Sequence, residues 1–271
     1  GPSDLMDRLT DLSSHYDMDT VFLSNTGAEA VENALKVSFD HSRGKYAIAF
    51  QGAFHGRTLG TLSLNRSKGI YRQHFPEIAS VHDLPFCDDR RCTRESCSCG
   101  FFPDGESSLR RMLGVTDGYV DPDEVSCVIV EPIQGEGGYR IPSDDFMEEL
   151  ATVTEAYDLP LVVDEVQSGV GRTGKMWASD HFPIEPDVIA SAKALRVGAT
   201  SPVRRSSPRR STASPRPGAL ATSSARRWAP SPSTPSTSTA CWPTRRSVAA
   251  SSRRSSGTPT SPARSTSGGR A

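Results

Sequence analysis

The chain has 271 residues, 35% of them hydrophobic, with a formal charge of −1; that is enough for one large domain or two small ones. No apolar run nears the ~20 residues that cross a bilayer, which argues against a membrane partner. The near-neutral charge conceals a split: residues 1–200 hold all 32 Asp and Glu against 18 Lys and Arg (−14), whereas 201–271 hold 13 Arg and no acid. Gly1-Pro2-Ser3-Asp4 lacks the basic-then-apolar start of a signal peptide, so a cytoplasmic location is expected. Dense carboxylates suit a salt-rich cytoplasm; an ordinary acidic enzyme is the other reading.

In chain order, the first short Val/Leu run, 21–23, predicts a buried strand. It leads into Ser24-Asn25-Thr26-Gly27-Ala28-Glu29-Ala30. Gly27 permits a tight turn, and Val31, Leu35 and Phe39 then recur every four residues, on one helix face. The start of such a helix presents unpaired N–H groups to a phosphate, with the Thr26 hydroxyl beside them. A plain Asn-Thr-Gly turn is the alternative. A second predicted strand, 46–50, leads into Gln51-Gly52-Ala53-Phe54-His55-Gly56-Arg57-Thr58. Phe54 could stack on a flat heterocycle and Arg57 could grip a carboxylate with its planar fork; a packed Phe and a solvated Arg are the other reading.

Four of the six cysteines, Cys87, Cys92, Cys97 and Cys99, fall in a segment rich in Asp and Arg. In a cytoplasmic protein such a group argues for metal or free thiols before disulfides. Four thiolates could hold zinc or an iron–sulfur cluster, although the spacing is not a standard zinc pattern; a loop of free thiols is the alternative. Further strands are predicted at 127–130, 161–163 and 188–190, and a helix at 144–157 from Phe146, Leu150 and Val153. Strands alternating with helices predict an α/β domain with a mostly parallel sheet flanked by helices, whose ligands sit at the strands' carboxyl ends. Glu131, Asp164 and Lys193 follow the last three predicted strands. A buried carboxylate such as Asp164 needs a cationic partner. A partly desolvated Lys193 loses its proton more readily and can form a Schiff base.

These elements together, with Glu131-Pro132-Ile133-Gln134-Gly135-Glu136-Gly137-Gly138 and Asp164-Glu165-Val166-Gln167-Ser168-Gly169-Val170-Gly171-Arg172-Thr173-Gly174, resemble the class III, fold-type I aminotransferases. That group includes the 4-aminobutyrate, acetylornithine and ornithine enzymes. The resemblance covers about 20–200 and implies pyridoxal 5′-phosphate as cofactor. It implies that Thr26, Gly27 and Ala28 bind the phosphate and Phe54 stacks on the ring. Asp164 then pairs with the ring nitrogen, Gln167 with the ring hydroxyl, and Lys193 forms the Schiff base and shuttles the proton. Arg57 takes a substrate carboxylate, and Glu131 and Glu136 line the substrate side. The implied reaction passes an amino group from an amino acid donor, of ω-amino or ornithine-like type, to a 2-oxo acid, 2-oxoglutarate, in a homodimer. A related aminomutase or decarboxylase, or a non-catalytic remnant that at most binds the cofactor, are the alternatives.

The sequence departs from the family pattern in three places. It begins just upstream of the phosphate loop, so the segment that helps shape the substrate pocket is expected to be absent. Ala194-Leu195-Arg196-Val197-Gly198-Ala199 is shorter than the usual Gly-rich stretch after the lysine. From Ser201 the composition turns to Ser, Pro, Thr, Ala and Arg, which cannot bury enough apolar surface to fold. A basic nucleic-acid-binding tail is one reading. Out-of-frame translation of a GC-rich gene, shifted between Thr200 and Ser206, fits the composition better. The domain reading is therefore a partial cofactor-binding domain over 1–200 and a disordered, out-of-frame tail over 201–271, with no nucleic-acid partner.

Overall fold

The structure, a computed structural model, describes residues 1–97, 99–114 and 118–203. Its strands are β1 (Phe22–Ser24), β2 (Tyr46–Phe50), β3 (Ser80–Leu84), β4 (Val125–Val130), β5 (Leu161–Asp164), β6 (Val188–Ser191) and β7 (Gly198–Pro202). Among the described residues they form one sheet in the order β1-β7-β6-β5-β4-β2-β3. All pairings are parallel except those of β7, which runs antiparallel to both β1 and β6. The expected mostly parallel α/β sheet is what forms.

The helices are α1 (Pro2–Leu12), α2 (Gly27–Ser42), α3 (Leu59–Leu64), α4 (Ser108–Met112) and α5 (Asp144–Ala156). Alternate strand residues face opposite layers. Ala47 and Ala49, Cys127 and Ile129, Val162, Val188 and Ala190 pack with Ala30, Val31, Ala34 and Leu35 of α2. Ile48 and Phe50, Val128 and Val130, Leu161 and Val163 pack instead with Phe146, Met147, Leu150 and Val153 of α5. Small alanines on the first face let α2 lie close to the sheet; the bulkier set fills the space beneath α5. Because both faces are covered, the central strands are apolar at nearly every position. Each buried Val or Ile contributes about 1.5–3 kcal/mol of transfer free energy. A third cluster joins Leu9 of α1 to Met18, Trp177, Ile189 and Ala199.

Two strands lie outside the sequence expectation. β3 is a polar edge strand, and β7 is a Gly-Ala-Thr-Ser-Pro segment. Ser201 and Pro202, placed in the tail by composition, end β7, and the Val203 N–H bonds the Asp187 carbonyl at 2.8 Å. The sheet thus reaches past the boundary drawn at residue 200. The remainder of the tail reading, from residue 204, lies outside the described residues. Among those described, no helix is long and apolar enough to cross a membrane.

Candidate active site

The carboxyl ends of β1, β2, β4, β5 and β6 open onto a cavity of about 360 Å³. Thr26, Gly27, Ala28, Phe54, Glu131, Glu136, Asp164, Gln167 and Lys193 all line it. Residues far apart in sequence meet there because parallel strands deliver their ends to one edge.

One end of the cavity is built by the start of α2. Thr26 caps the helix: its Oγ1 accepts the Glu29 N–H at 3.2 Å, and the Glu29 carboxylate accepts the N–H groups of Asn25 (2.6 Å) and Thr26 (3.0 Å). Such a box contributes about 1 kcal/mol. The N–H groups of Gly27 and Ala28 have no acceptor within the helix they begin, and both residues face the cavity. A Cβ at Gly27 would lie 2.7 Å from Val166 Cγ1, so glycine keeps this wall thin.

Asp164 sits at the cavity floor, buried, with Oδ2 2.8 Å from His55 Nδ1 and Oδ1 accepting the Val166 N–H at 3.0 Å. His55 is itself held: its backbone N–H donates to Asn65 Oδ1 at 2.7 Å, and Asn65 Nδ2 donates to the Gly56 carbonyl at 2.7 Å. Sequence reasoning assigned His55 no role. Its signal was its place beside Phe54 in a loop leaving a strand end. That loop is anchored to α2 through Glu32, whose Oε1 accepts from the Thr58 hydroxyl and the Gly60 and Thr61 N–H groups. The neighbouring Glu165 faces away from the cavity, taking hydrogen bonds from Ser168 and Ser179, and burial raises its pKa.

Lys193 Nζ donates to Gln167 Oε1, so these two expected cofactor contacts touch each other. Phe54 stands edge-on to Tyr71, ring centroids 5.1 Å apart. Glu131 lines the cavity, but its oxygens accept the N–H groups of Phe54 (2.8 Å) and Gly135 (3.0 Å), joining the two loops. Burial, opposed by His55 and reinforced by the charge of Asp164, raises its pKa from 4.5 to about 7. Glu136 is exposed at the rim, where the Tyr71 hydroxyl reaches it at 3.3 Å. Arg57 is exposed and is not among the lining residues, whereas Arg196 is. Cys87, Cys92, Cys97 and Cys99 come together away from this cavity, against α5.

The sequence pattern of the family described as aminotransferase class-III matches residues 2–212. The chain belongs to that family, whose members use pyridoxal phosphate. It is 36% identical over 180 residues to a putrescine aminotransferase of Pectobacterium atrosepticum, covering 65% of this chain and 34% of that protein. It is 35% identical over 192 residues to an acetylornithine aminotransferase of Methanopyrus kandleri, covering 70% of this chain and 43% of that one. Among solved structures, it superposes on a lysine aminotransferase from M. tuberculosis with a TM-score of 0.64 at 30% identity, over 75% of this chain and 48% of the other. The chain thus spans less than half the length of these relatives.

Proposed function

We propose that the chain is the cofactor-binding part of an aminotransferase moving an amino group from an ω-amino or ornithine-like donor to 2-oxoglutarate. The observation that carries this reading is the convergence of Asp164, Gln167, Lys193 and the head of α2 on one cavity. The residues fit pyridoxal 5′-phosphate. Lys193 would hold it through its amine, Thr26, Gly27 and Ala28 would take its phosphate, Phe54 would cover its ring, and Asp164 and Gln167 would meet the ring nitrogen and hydroxyl. When bound, the cofactor supplies an electron sink for the bond broken at the substrate Cα.

The chain's own residues do the rest. His55 and the Val166 N–H orient the Asp164 carboxylate and leave it buried beside the cavity. Lys193 Nζ, once the substrate amine has taken its place, would be the base that moves a proton at the substrate Cα. Glu131 fixes the Phe54 loop to the 131–138 loop, keeping the ring wall in place. Arg57 remains the carboxylate clamp implied by the family pattern, while Arg196, which lines the cavity, is the better-placed cation within the described residues. Glu136 stands at the substrate rim.

The relatives named for putrescine, acetylornithine and lysine support a donor bearing a distal amine. Exposed Ile70, Phe75 and Ile78, on one segment after α3, support a second copy of the chain as partner. The acid-free composition after Ser201 supports the out-of-frame reading of the tail; an intact frame through this junction in the gene would end it.

Borohydride reduction of cofactor-loaded protein is expected to fix the cofactor on the Lys193 peptide, detected by mass spectrometry, with none fixed in Lys193→Ala. Glutamate is then expected to shift the visible spectrum of the loaded wild-type chain. Attachment at Lys193 without a spectral response to any amino donor would mark a cofactor-binding remnant instead.

A further inference from the structure

The segment after β3 carries a feature that transamination does not use. Cys87, Cys92, Cys97 and Cys99 place their Sγ atoms all within 4.8 Å of one another. The separations are 3.4 Å for Cys87–Cys97, 3.3 Å for Cys97–Cys99 and 3.9 Å for Cys92–Cys99. A tetrahedral ion with Zn–S bonds of about 2.3 Å sets sulfur–sulfur edges of about 3.8 Å. The four thiols therefore already approximate the corners of a single-ion site. An iron–sulfur cluster, with inorganic sulfide between its irons, holds the thiolates of different irons farther apart than this group allows.

The scaffold around the sulfurs is specific. Cys97 Sγ accepts the N–H groups of Cys99 (3.4 Å) and Gly100 (3.3 Å), donors that offset thiolate charge. Cys87 is fully buried, with the N-cap hydroxyl of Ser143 3.4 Å from its sulfur. A Cβ at Gly100 would stand 3.0 Å from both Cys87 Cβ and the Phe146 ring, so the loop closes tightly on the sulfurs. The same loop is tied to α5 by the Arg94 N–H to Asp145 and by the Arg94 side chain on the buried Glu149, which also receives Arg110. Between Cys87 and Cys97 lie Asp88, Asp89, Arg90, Arg91, Arg94 and Glu95, a stretch too polar to hold itself against the core by apolar burial.

We propose that Cys87, Cys92, Cys97 and Cys99 bind one zinc ion that staples the 87–100 segment to helix α5. Four protein ligands leave no open coordination position, so the site is structural rather than catalytic. It stands independently of the aminotransferase reading.

The test uses the full chain, purified under reducing conditions without chelators. Elemental analysis is expected to find about one zinc per chain, released as a mercurial titrates the thiols. Cobalt exchanged into the site is expected to show thiolate-to-cobalt charge-transfer bands. Cys127→Ser, which alters a buried cysteine outside the group, is expected to keep the zinc; Cys97→Ser and Cys99→Ser are expected to lose it. Zinc-free wild-type protein with these four thiols freely titrating, iron with inorganic sulfide, disulfides among these cysteines, or loss of zinc in a folded Cys127→Ser protein would each overturn the proposal. Wild-type stoichiometry decides the matter even where a variant fails to fold.

Discussion

Glu131 lines the cavity and at the same time ties together the two loops that wall it. Its carboxylate is 5% exposed and receives two backbone N–H groups, one from each of the loops it joins. Burial raises its pKa from 4.5 to about 7. The native state therefore holds a proton that the unfolded chain gives up at lower pH. The corresponding stability is fully present below about pH 4.5 and is lost as pH rises through about 7. Chemical denaturation at a series of pH values is expected to show wild type losing stability relative to Glu131→Gln across this window. Parallel profiles for the two proteins would mean that Glu131 is ionised throughout.

At the scale of elements, the site depends on how closely β7 approaches the β1–α2 turn. A Cβ on Gly198 would fall 2.3 Å from the Thr26 carbonyl oxygen and 2.3 Å from Ser24 Oγ. The first contact is with backbone, so no rotamer change relieves it. Gly198→Ala is expected to lower stability by about 1–3 kcal/mol, because Thr26 at the head of α2 must move. Gly69→Ala is the matched control: nothing lies within 4 Å of its Cβ position, and the thermal midpoint is expected to stay near that of wild type. Equal effects of the two substitutions would remove β7 from any role in shaping the head of α2. The Thr200 hydroxyl donates to the Ala30 carbonyl at 2.8 Å, a second tie between β7 and α2.

At the scale of the molecule, charge is unevenly distributed along the chain. Residues 1–200 carry 32 acids against 18 bases, and self-repulsion of that size opposes the compact state. Raising ionic strength shortens the screening length from about 10 Å at 0.1 M to about 3 Å at 1 M. For a chain ending at Val203, the unfolding temperature is expected to rise steadily as KCl is raised over this range. A flat or falling temperature would show that local ion pairs, such as those of Glu149 with Arg94 and Arg110, outweigh the net charge.

The central strands, α2, α5 and several of the residues that line the cavity were legible in the sequence because each rests on a local signal. Apolar runs mark strands buried on both faces, four-residue spacing marks a helix face, and the residue after each strand falls at the sheet's carboxyl edge. β3 was hidden because an edge strand with one solvated side can be polar. β7 was hidden because Gly-Ala-Thr-Ser-Pro has turn composition; it becomes a strand by pairing its backbone with β1 on one side and β6 on the other. His55 behind Asp164, Glu131 as a bridge between loops, Arg196 rather than Arg57 on the cavity wall, and four sulfurs converging on one point are all contacts between distant segments. The sequence by itself determined which side chains were present and which family they belong to. The tertiary structure alone decided which of them face the cavity and which hold one another, since that depends on strand order and close packing, and neither is written in local periodicity.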